Sequence, residues 1–229
     1  MKHHNLTVIG TSHIAKQSLE EVKKAIEEEK PEIVALELDR PRLSGLLSGQ
    51  KAKPRVSDIG RIGLKGWLFM IIAGYIERKL GKVVKVKPGE EMMLAYKLAH
   101  ERKAKVALID QDISITLKNM SKAFTWKEKW NILVDLLKGT FSKKERIKFD
   151  LTKVPSQELI DRMIKKVKAR YPSLYKVLID DRNKVMAKNL HALMQRFPEQ
   201  KIVAVVGAGH EKEIISLIKK VEKGEELYF

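Results

Sequence analysis

Two histidines near opposite ends of the chain follow the same local pattern. One short β-branched segment ends at Gly10 and is followed by His13, and another ends at Gly207 and is followed by His210. Each segment is long enough for one buried strand, and glycine allows a sharp turn where a strand leaves its sheet. Imidazole can carry a proton near neutral pH or bind a metal ion. Because open α/β sheets bind ligands beyond the carboxyl ends of their strands, the two histidines predict one shared site.

Glu37 is the third candidate, because it lies within the otherwise apolar segment 33–38. A carboxylate is costly to bury unless it is paired, hydrogen-bonded or bound to a metal. A strand-end glutamate that has reached solvent is one interpretation, and an ion pair with Arg40 is another. We favour a functional role, because perturbed carboxylates gather at sites. We therefore expect Glu37 beside His13, at the same edge of two adjacent parallel strands.

Three further charged residues stand at positions that could serve such a site. Glu91 lies in the first turn of a predicted helix, where an acidic residue often does no more than complement the helix dipole. Asp110 directly follows the predicted strand 104–109. Arg182 interrupts the apolar face of the long predicted helix 173–196 and could reach inward to an anion or a carboxylate.

The elements that would position these residues begin with a strand, a helix and a second strand. Ser18 and Glu21 form a capping-box pattern at the start of the helix. The whole unit occupies about the ~30 residues of a βαβ motif, which predicts a parallel pair of strands. Further strands are predicted over 83–86, 104–109 and 202–206, and the pattern between 113 and 197 is helical throughout.

These elements predict an α/β fold with a central, mostly parallel sheet flanked by helices. An all-helical insertion of about residues 113–198 precedes the last strand. We assign residues 1–224 to a single domain and interpret residues 225–229 as a tag remnant or disordered tail.

Within the insertion, Trp126 and Trp130 are predicted to share an apolar helix face, Gly139 to end that helix, and Ser156 to begin the next. The apolar segment 64–76 is shorter than the about 20 residues that cross a membrane. It is interpreted as a buried helix or, alternatively, as an apolar lid, a groove or the contact of a homodimer.

The charge of the chain limits the classes of partner. The net charge is +17, and residues 114–190 carry 19 Lys and Arg against 8 Asp and Glu. A solvated helical surface is the first interpretation, and an anionic membrane surface is the sharper alternative. Nucleic acid ranks low, because the sequence has no aromatic-interleaved basic motif. The absence of cysteine excludes disulfides and thiolate metal sites.

Six motifs in the same order resemble the TraB/PrgY family over roughly residues 6–214. They include the three site candidates, the acid that follows a predicted strand, and the two charged residues of the predicted helices: His13, Glu37, His210, Asp110, Glu91 and Arg182. The motifs are Gly10-Thr11-Ser12-His13, Glu37-Leu38-Asp39-Arg40, Pro88-Gly89-Glu90-Glu91-Met92, Ile109-Asp110-Gln111-Asp112-Ile113 with Thr116-Leu117, Asp181-Arg182-Asn183 with Met186-Ala187, and Gly207-Ala208-Gly209-His210.

The resemblance implies a metal-dependent peptidase in a wider group with Tiki-type proteases, ChaN-like haem-binding lipoproteins and erythromycin esterases. Its shared marks are the two Gly-x-x-His motifs and the glutamate after the second strand, here His13, His210 and Glu37. PrgY-like members are linked to the shutdown of a peptide pheromone, whereas erythromycin esterases are thought to use histidine as a base without a metal. Gln111 departs from the arginine of many relatives. Many members continue into a hydrophobic membrane region that this sequence lacks. If the chain is a piece of such a protein, its basic helices would suit the cytoplasmic side of a membrane.

The leading hypothesis is a metallohydrolase, most simply a peptidase acting on a small peptide or another small molecule. His13, Glu37 and His210 would hold Mn²⁺, Co²⁺ or Zn²⁺, with Glu91 or Asp110 as a base or an orienting group. Arg40 or Arg182 would bind the substrate carboxylate or the oxyanion. The second hypothesis is a metal-free hydrolase with a histidine base, and the third is a protein that sequesters a peptide in the apolar segment without turnover.

Overall fold

The computed structural model describes residues 1–11, 16–49, 56–60, 63–64, 67, 71, 89–141 and 157–228. Within these residues, one five-stranded sheet forms the centre, in the order β1-β2-β5-β3-β4. β1 is antiparallel to β2, and all other neighbours are parallel. The strands are β1 (Lys2–His3), β2 (Leu6–Thr11), β3 (Ile33–Leu36), β4 (Lys105–Leu108) and β5 (Ile202–Gly207). The predicted α/β class with a mostly parallel sheet is confirmed.

The position of β5 corrects one prediction. Helix α1 (Lys16–Glu29) connects β2 to β3 as expected, but these strands are not neighbours, because β5 lies between them and pairs with both. All six residues of β5 are buried, whereas β2 alternates between buried and partly buried positions. A strand that is apolar on both faces belongs at the centre of a parallel sheet. β5, the last described strand along the chain, therefore lies next to β2, where the sequence order predicted β3.

The remaining helices fall into three groups along the chain. Helices α2 (Arg40–Leu47) and α3 (Glu90–Glu101) lie between β3 and β4, together with a 3₁₀ turn at Val56–Asp58. The regular elements described between β4 and β5 are all helices, as predicted, and one helix follows β5. These are α4 (Ile113–Ala123), α5 (Trp126–Phe141), α6 (Gln157–Arg170), α7 (Pro172–Tyr175), a π-helical turn at Lys176–Asp180, α8 (Asp181–Arg196) and α9 (Glu211–Glu222).

The helices cover both faces of the sheet, and β5 contributes to both apolar cores. Successive side chains of a strand point to opposite faces. Ile202, Ala204 and Val206 accordingly pack against α8 and α9, which contribute Met186, Leu190, Ile214 and Ile218. Val203 and Val205 pack in the core with Val22 and Ile26 of α1 and Met92 and Ala95 of α3. Leu227 near the end of the chain belongs to the first core.

Several local predictions for the helices are wrong. Ser18 lies inside α1, which begins two residues earlier at Lys16. Gly139 lies inside α5 and does not end it. Trp126 and Trp130 do share one side of α5, but that side is exposed, because the buried side is that of Glu128, about 200° away around the helix from Trp126.

Other predictions fall on residues that the structure does not describe. The predicted strand 83–86 and the predicted cap Ser156 lie outside the described residues, as does most of the apolar segment 64–76. The predicted helix 173–196 corresponds to α7, the π-helical turn and α8 in succession. Among the described helices, none is both long enough and apolar enough to span a membrane.

Candidate active site at the carboxyl edge of the sheet

Three buried carboxylates follow the ends of β3 and β4. Glu37 comes directly after β3, Asp39 lies two residues further, and Asp110 lies two residues beyond β4. β3 and β4 pair in register, from Ile33 opposite Lys105 to Leu36 opposite Leu108. The pairing continues with the bond from Asp110 N to Leu38 O at 3.4 Å. This register places Asp110 level with the segment that holds the other two acids. The expected cluster of strand-end carboxylates is present.

Arg182 joins two of these carboxylates from the first turn of α8. Its Nε donates to Asp110 Oδ1 at 3.0 Å, and its Nη2 donates to Asp110 Oδ2 at 2.7 Å and also to Glu37 Oε1. Burial opposes the charged guanidinium, but the charge of Glu37 and the hydrogen bonds to Asp110 outweigh burial and raise the pKa of Arg182. The guanidinium therefore stays charged and lies against both carboxylates.

Arg42, which the sequence analysis did not select, is the second cation of the cluster. Its Nη2 contacts Asp110 Oδ2, and its Nε lies 3.4 Å from Asp39 Oδ1. Asp39 caps α2 by accepting from Arg42 N at 2.7 Å, and its other oxygen accepts from Ile113 N at 2.6 Å. Arg40, which the sequence offered as an alternative partner of Glu37, is exposed at the first position of α2. The cation that contacts Glu37 is Arg182 instead.

His210 lies at the same edge, directly before α9. Its Nδ1 is 2.6 Å from Asn183 Oδ1, and its Nε2 is 3.5 Å from Glu37 Oε1. When the amide oxygen of Asn183 accepts this bond, the ring proton is on Nδ1. The other ring nitrogen, Nε2, is the one that faces Glu37. His210 is buried and contacts Asn183 of α8. Its predicted proximity to Glu37 is present in the structure.

Glu37 connects β3 to the central strand. Its Oε2 accepts from Gly207 N at 2.5 Å, at the last residue of β5. Thr11, the last residue of β2, pairs with Gly207 in register, so the ends of β2, β5 and β3 meet at one edge. His13 lies two residues beyond Thr11 and outside the described residues. Its place in the site stays a prediction.

Two further residues complete the surroundings. Glu91 is buried in the first turn of α3, whose preceding Gly89 adopts a left-handed φ of 86° beside Leu46 of α2. Asn183 was part of a motif but was not selected as a site residue. Its side chain is fully buried, and its Nδ2 has no hydrogen-bond partner among the described residues. The sequence signal that could have identified Asn183 was its position directly after Arg182 in the Asp181-Arg182-Asn183 motif.

His210 and Glu37 have the spacing of two ligands of one metal ion. Two ligands of a tetrahedral zinc ion at about 2.0–2.1 Å are roughly 3.3 Å apart, which is close to the 3.5 Å between Nε2 and Oε1. The hydrogen bond from Nδ1 to Asn183 is the outer contact that orients a ligating histidine. Arg182 shares Oε1, so a cation there would lie close to the guanidinium. The donor geometry fits a metal ion, and the charge of Arg182 opposes it.

The fold and the edge cluster define an α/β protein with buried polar groups where such sheets bind ligands. The chain matches the TraB/PrgY/gumN family over residues 2–225. It therefore belongs to that family, and the resemblance found in its motifs is confirmed.

Individual relatives extend from archaea to mammals. An uncharacterized protein of Methanocaldococcus jannaschii is 35% identical over 97% of this chain and 55% of its own length. The TraB domain-containing proteins of Homo sapiens and Mus musculus are each 25% identical over 89% of this chain and 60% of their own length. The chain thus spans a little over half of the relatives it matches.

Proposed function

We propose that this chain is a hydrolase that acts on a small peptide, with His210 and Glu37 as its reacting groups. The observation that carries the proposal is the 3.5 Å approach of His210 Nε2 to Glu37 Oε1 at the carboxyl edge of the sheet. Both groups are held from the opposite side, His210 by Asn183 and Glu37 by Gly207 and Arg182. Preorganised groups of this kind are what a hydrolytic site requires.

Three residues would hold the divalent ion of this hydrolase. They are His210, Glu37 and, by the resemblance to the family, His13. An ion such as Mn²⁺, Co²⁺ or Zn²⁺ would activate water and polarise the scissile carbonyl. Asn183 keeps the ring proton on Nδ1, so that Nε2 is the nitrogen presented to the site. Asn183 Nδ2, which has no hydrogen-bond partner among the described residues, would donate to a substrate oxygen.

The surrounding charges have roles that differ from those first assigned. Both oxygens of Asp110 accept from arginines, so Asp110 orients Arg182 and is poorly suited to be a base. Arg182 is already bound to two carboxylates and thus positions Glu37. Arg40 at the exposed start of α2 stays the candidate for a substrate carboxylate. Glu91 stays the second candidate for a base.

The contact between Arg182 and Glu37 favours a second version of the same activity, without a metal. In that version the charge of Glu37 is balanced by the guanidinium, and His210 acts as the general base through Nε2.

Two measurements on purified, chelator-free protein test the proposal. One is the metal content, and the other is the turnover of a defined mixture of short peptides. With a metal, His210→Ala and Glu37→Gln both lose the ion and the turnover. With a histidine base, both lose turnover while the metal content is unchanged.

His191→Ala, on the same helix as Arg182 but near its other end, is the matched control and should retain both properties. A wild-type protein that binds peptides without cleaving them would overturn both versions. That result would support the sequestering protein instead.

A further inference from the structure

A second group of potential metal ligands lies at the opposite, amino edge of the sheet. His3 ends β1, His4 begins the two-residue turn between β1 and β2, and Glu222 ends α9. Helix α9 starts beside His210 at the carboxyl edge and runs back along the sheet, so its last residue is at the far end. Among the described residues, this is the group in which three side chains could hold one metal ion.

The separations of the ligand atoms suit a shared cation. His3 Nε2 lies 2.9 Å from Glu222 Oε2, and His4 Nε2 lies 3.8 Å from Glu222 Oε1. All three ligand atoms are within 4.8 Å of one another. Ligands of a tetrahedral zinc ion are roughly 3.3 Å apart, so side-chain rotations that change these separations by up to about 1.5 Å would complete the set.

Among the described residues, no hydrogen bond fixes the side chain of His4, which contacts the ring of His3 and Glu222. Its distance of 3.8 Å to Glu222 is too long for a hydrogen bond, and its side chain is 67% exposed. Its backbone has a φ of 49°, in the left-handed region that is uncommon for residues other than glycine. This turn conformation brings the two imidazole rings to 4.2 Å between centroids, on the same side as Glu222.

A cavity beside the cluster would leave room for the remaining ligands. It has a volume of about 650 Å³, and both His4 and Glu222 line it. Asn5 and Gln195 also line it beside the apolar Met194, Pro198 and Val221, so its wall is partly polar. Water could therefore occupy the coordination positions that the three side chains leave open.

We propose that His3, His4 and Glu222 form a Zn²⁺ site that joins the β1–β2 hairpin to the end of α9. Two imidazoles and one carboxylate are ligands that zinc accepts in proteins. β1 is a two-residue edge strand, and the ion would fix it to a helix that packs on the core. This site is separate from the proposed hydrolytic site and does not depend on it.

Calorimetric titration of the tag-free chain with ZnCl₂ tests the proposal. The decisive variant is His4→Asn, because asparagine tolerates the left-handed turn and the His3–Glu222 contact is left in place. Glu222→Gln is the second variant, since it removes the charge and keeps the shape. We expect each to weaken one Zn²⁺ site per chain by at least about tenfold, the lower end of the loss seen for outer contacts alone.

Two controls separate this site from other sources of binding. His191→Asn changes another histidine that lines the same cavity, and His210→Ala removes a ligand of the proposed hydrolytic site. Both should retain the Zn²⁺ bound at the amino edge, and Zn²⁺ should shift the Nε2 resonances of His3 and His4. The proposal is overturned if wild type binds no Zn²⁺, if the affinity of His4→Asn is unchanged, or if only His210→Ala loses the ion.

Discussion

Two arginine–carboxylate clusters in this molecule have the same chemistry and opposite surroundings. At the sheet edge, Arg182 binds Glu37 and Asp110, and its own side chain is 15% exposed. In the helical insertion, Arg170 binds Asp135 with two nitrogens, and both side chains are about 40% exposed. Solvent and salt weaken the second cluster, whereas Arg182 and Arg42 balance the acids of the first away from water.

This difference in exposure indicates which ion pairs determine the stability and the geometry of the site. Charges taken out of water need each other, so the removal of one partner leaves an uncompensated charge in the interior. Charges at the surface keep their hydration and lose little when they separate. The sheet-edge cluster therefore determines both the stability and the geometry around Glu37, and the insertion cluster should determine neither.

The largest expected effect is on the chemistry at the sheet edge. His210→Ala should lower peptide turnover by roughly 10²–10⁴-fold, the contribution of a general base, or by more if a metal is lost as well. The stability should fall by about 1–3 kcal/mol, because the buried Asn183 oxygen loses its hydrogen bond. Steady-state kinetics and urea unfolding measure the two effects. Turnover retained within threefold at full folding would exclude His210 as a reacting group.

The next largest effect tests the buried cluster directly. Arg182→Met should destabilise the protein by about 3–5 kcal/mol, because Glu37 and Asp110 would remain buried with less positive charge. Urea unfolding at neutral pH measures this loss. Arg182→Lys is the matched variant, which keeps the charge but loses the fork that binds Asp110 through two nitrogens. If Arg182→Met unfolds at the same urea concentration as wild type, the contrast between the two clusters fails.

A third carboxylate lies between these extremes. Glu128 in the insertion is buried and has hydrogen bonds instead of an arginine. It accepts from the backbone and hydroxyl of Thr125, which closes a capping box at the start of α5, and from Ser173 N at the start of α7. Glu128→Gln should cost about 0.5–2 kcal/mol, the range for a helix cap.

The pH dependence of Glu128 sharpens that prediction. Burial alone would raise the pKa of Glu128, but the hydrogen bonds from Thr125 and Ser173 lower it below its ordinary 4.5. A lowered pKa means that the folded state binds its proton less readily than the unfolded state does. The stabilisation is therefore complete above pH 4.5 and is lost as the pH falls through the lowered value. Unfolding of wild type and Glu128→Gln should converge towards acid pH, and a constant difference would contradict the assignment.

The fold was largely predictable because its strands and helices carry clear periodic patterns, but their arrangement was only partly predictable. Alternation and apolar runs identify the strands, yet the sequence order says nothing about which strand takes the centre. The uniformly apolar β5 was the available signal. The capping boxes show the same limit. Ser18 and Thr125 each precede a glutamate by three residues, but only Thr125 is at a helix start in the described chain.

The candidate site was predictable where one residue stood out from its surroundings. Glu37 and Arg182 each interrupted an apolar pattern, and the structure brings them together. Arg42 was missed because Arg40 comes first in the sequence. Residues two apart on a helix point about 200° from each other, so when Asp39 caps α2 only one of the two arginines can face the sheet edge. Such a choice depends on the exact start of the helix, which sequence patterns do not fix.

The smallest expected effect is at the exposed cluster. Arg170→Met removes the guanidinium that binds Asp135. Both side chains are open to solvent. The contact with Asp135 raises the pKa of Arg170, but this group is charged at every accessible pH, so the shift has no consequence for stability near neutrality. We expect the melting temperature of Arg170→Met to match that of wild type at physiological salt. Asp135→Asn is the more demanding companion, because the Tyr171 hydroxyl also donates to Asp135. A large loss in Arg170→Met, comparable to that of Arg182→Met, would show that exposure does not separate the two clusters.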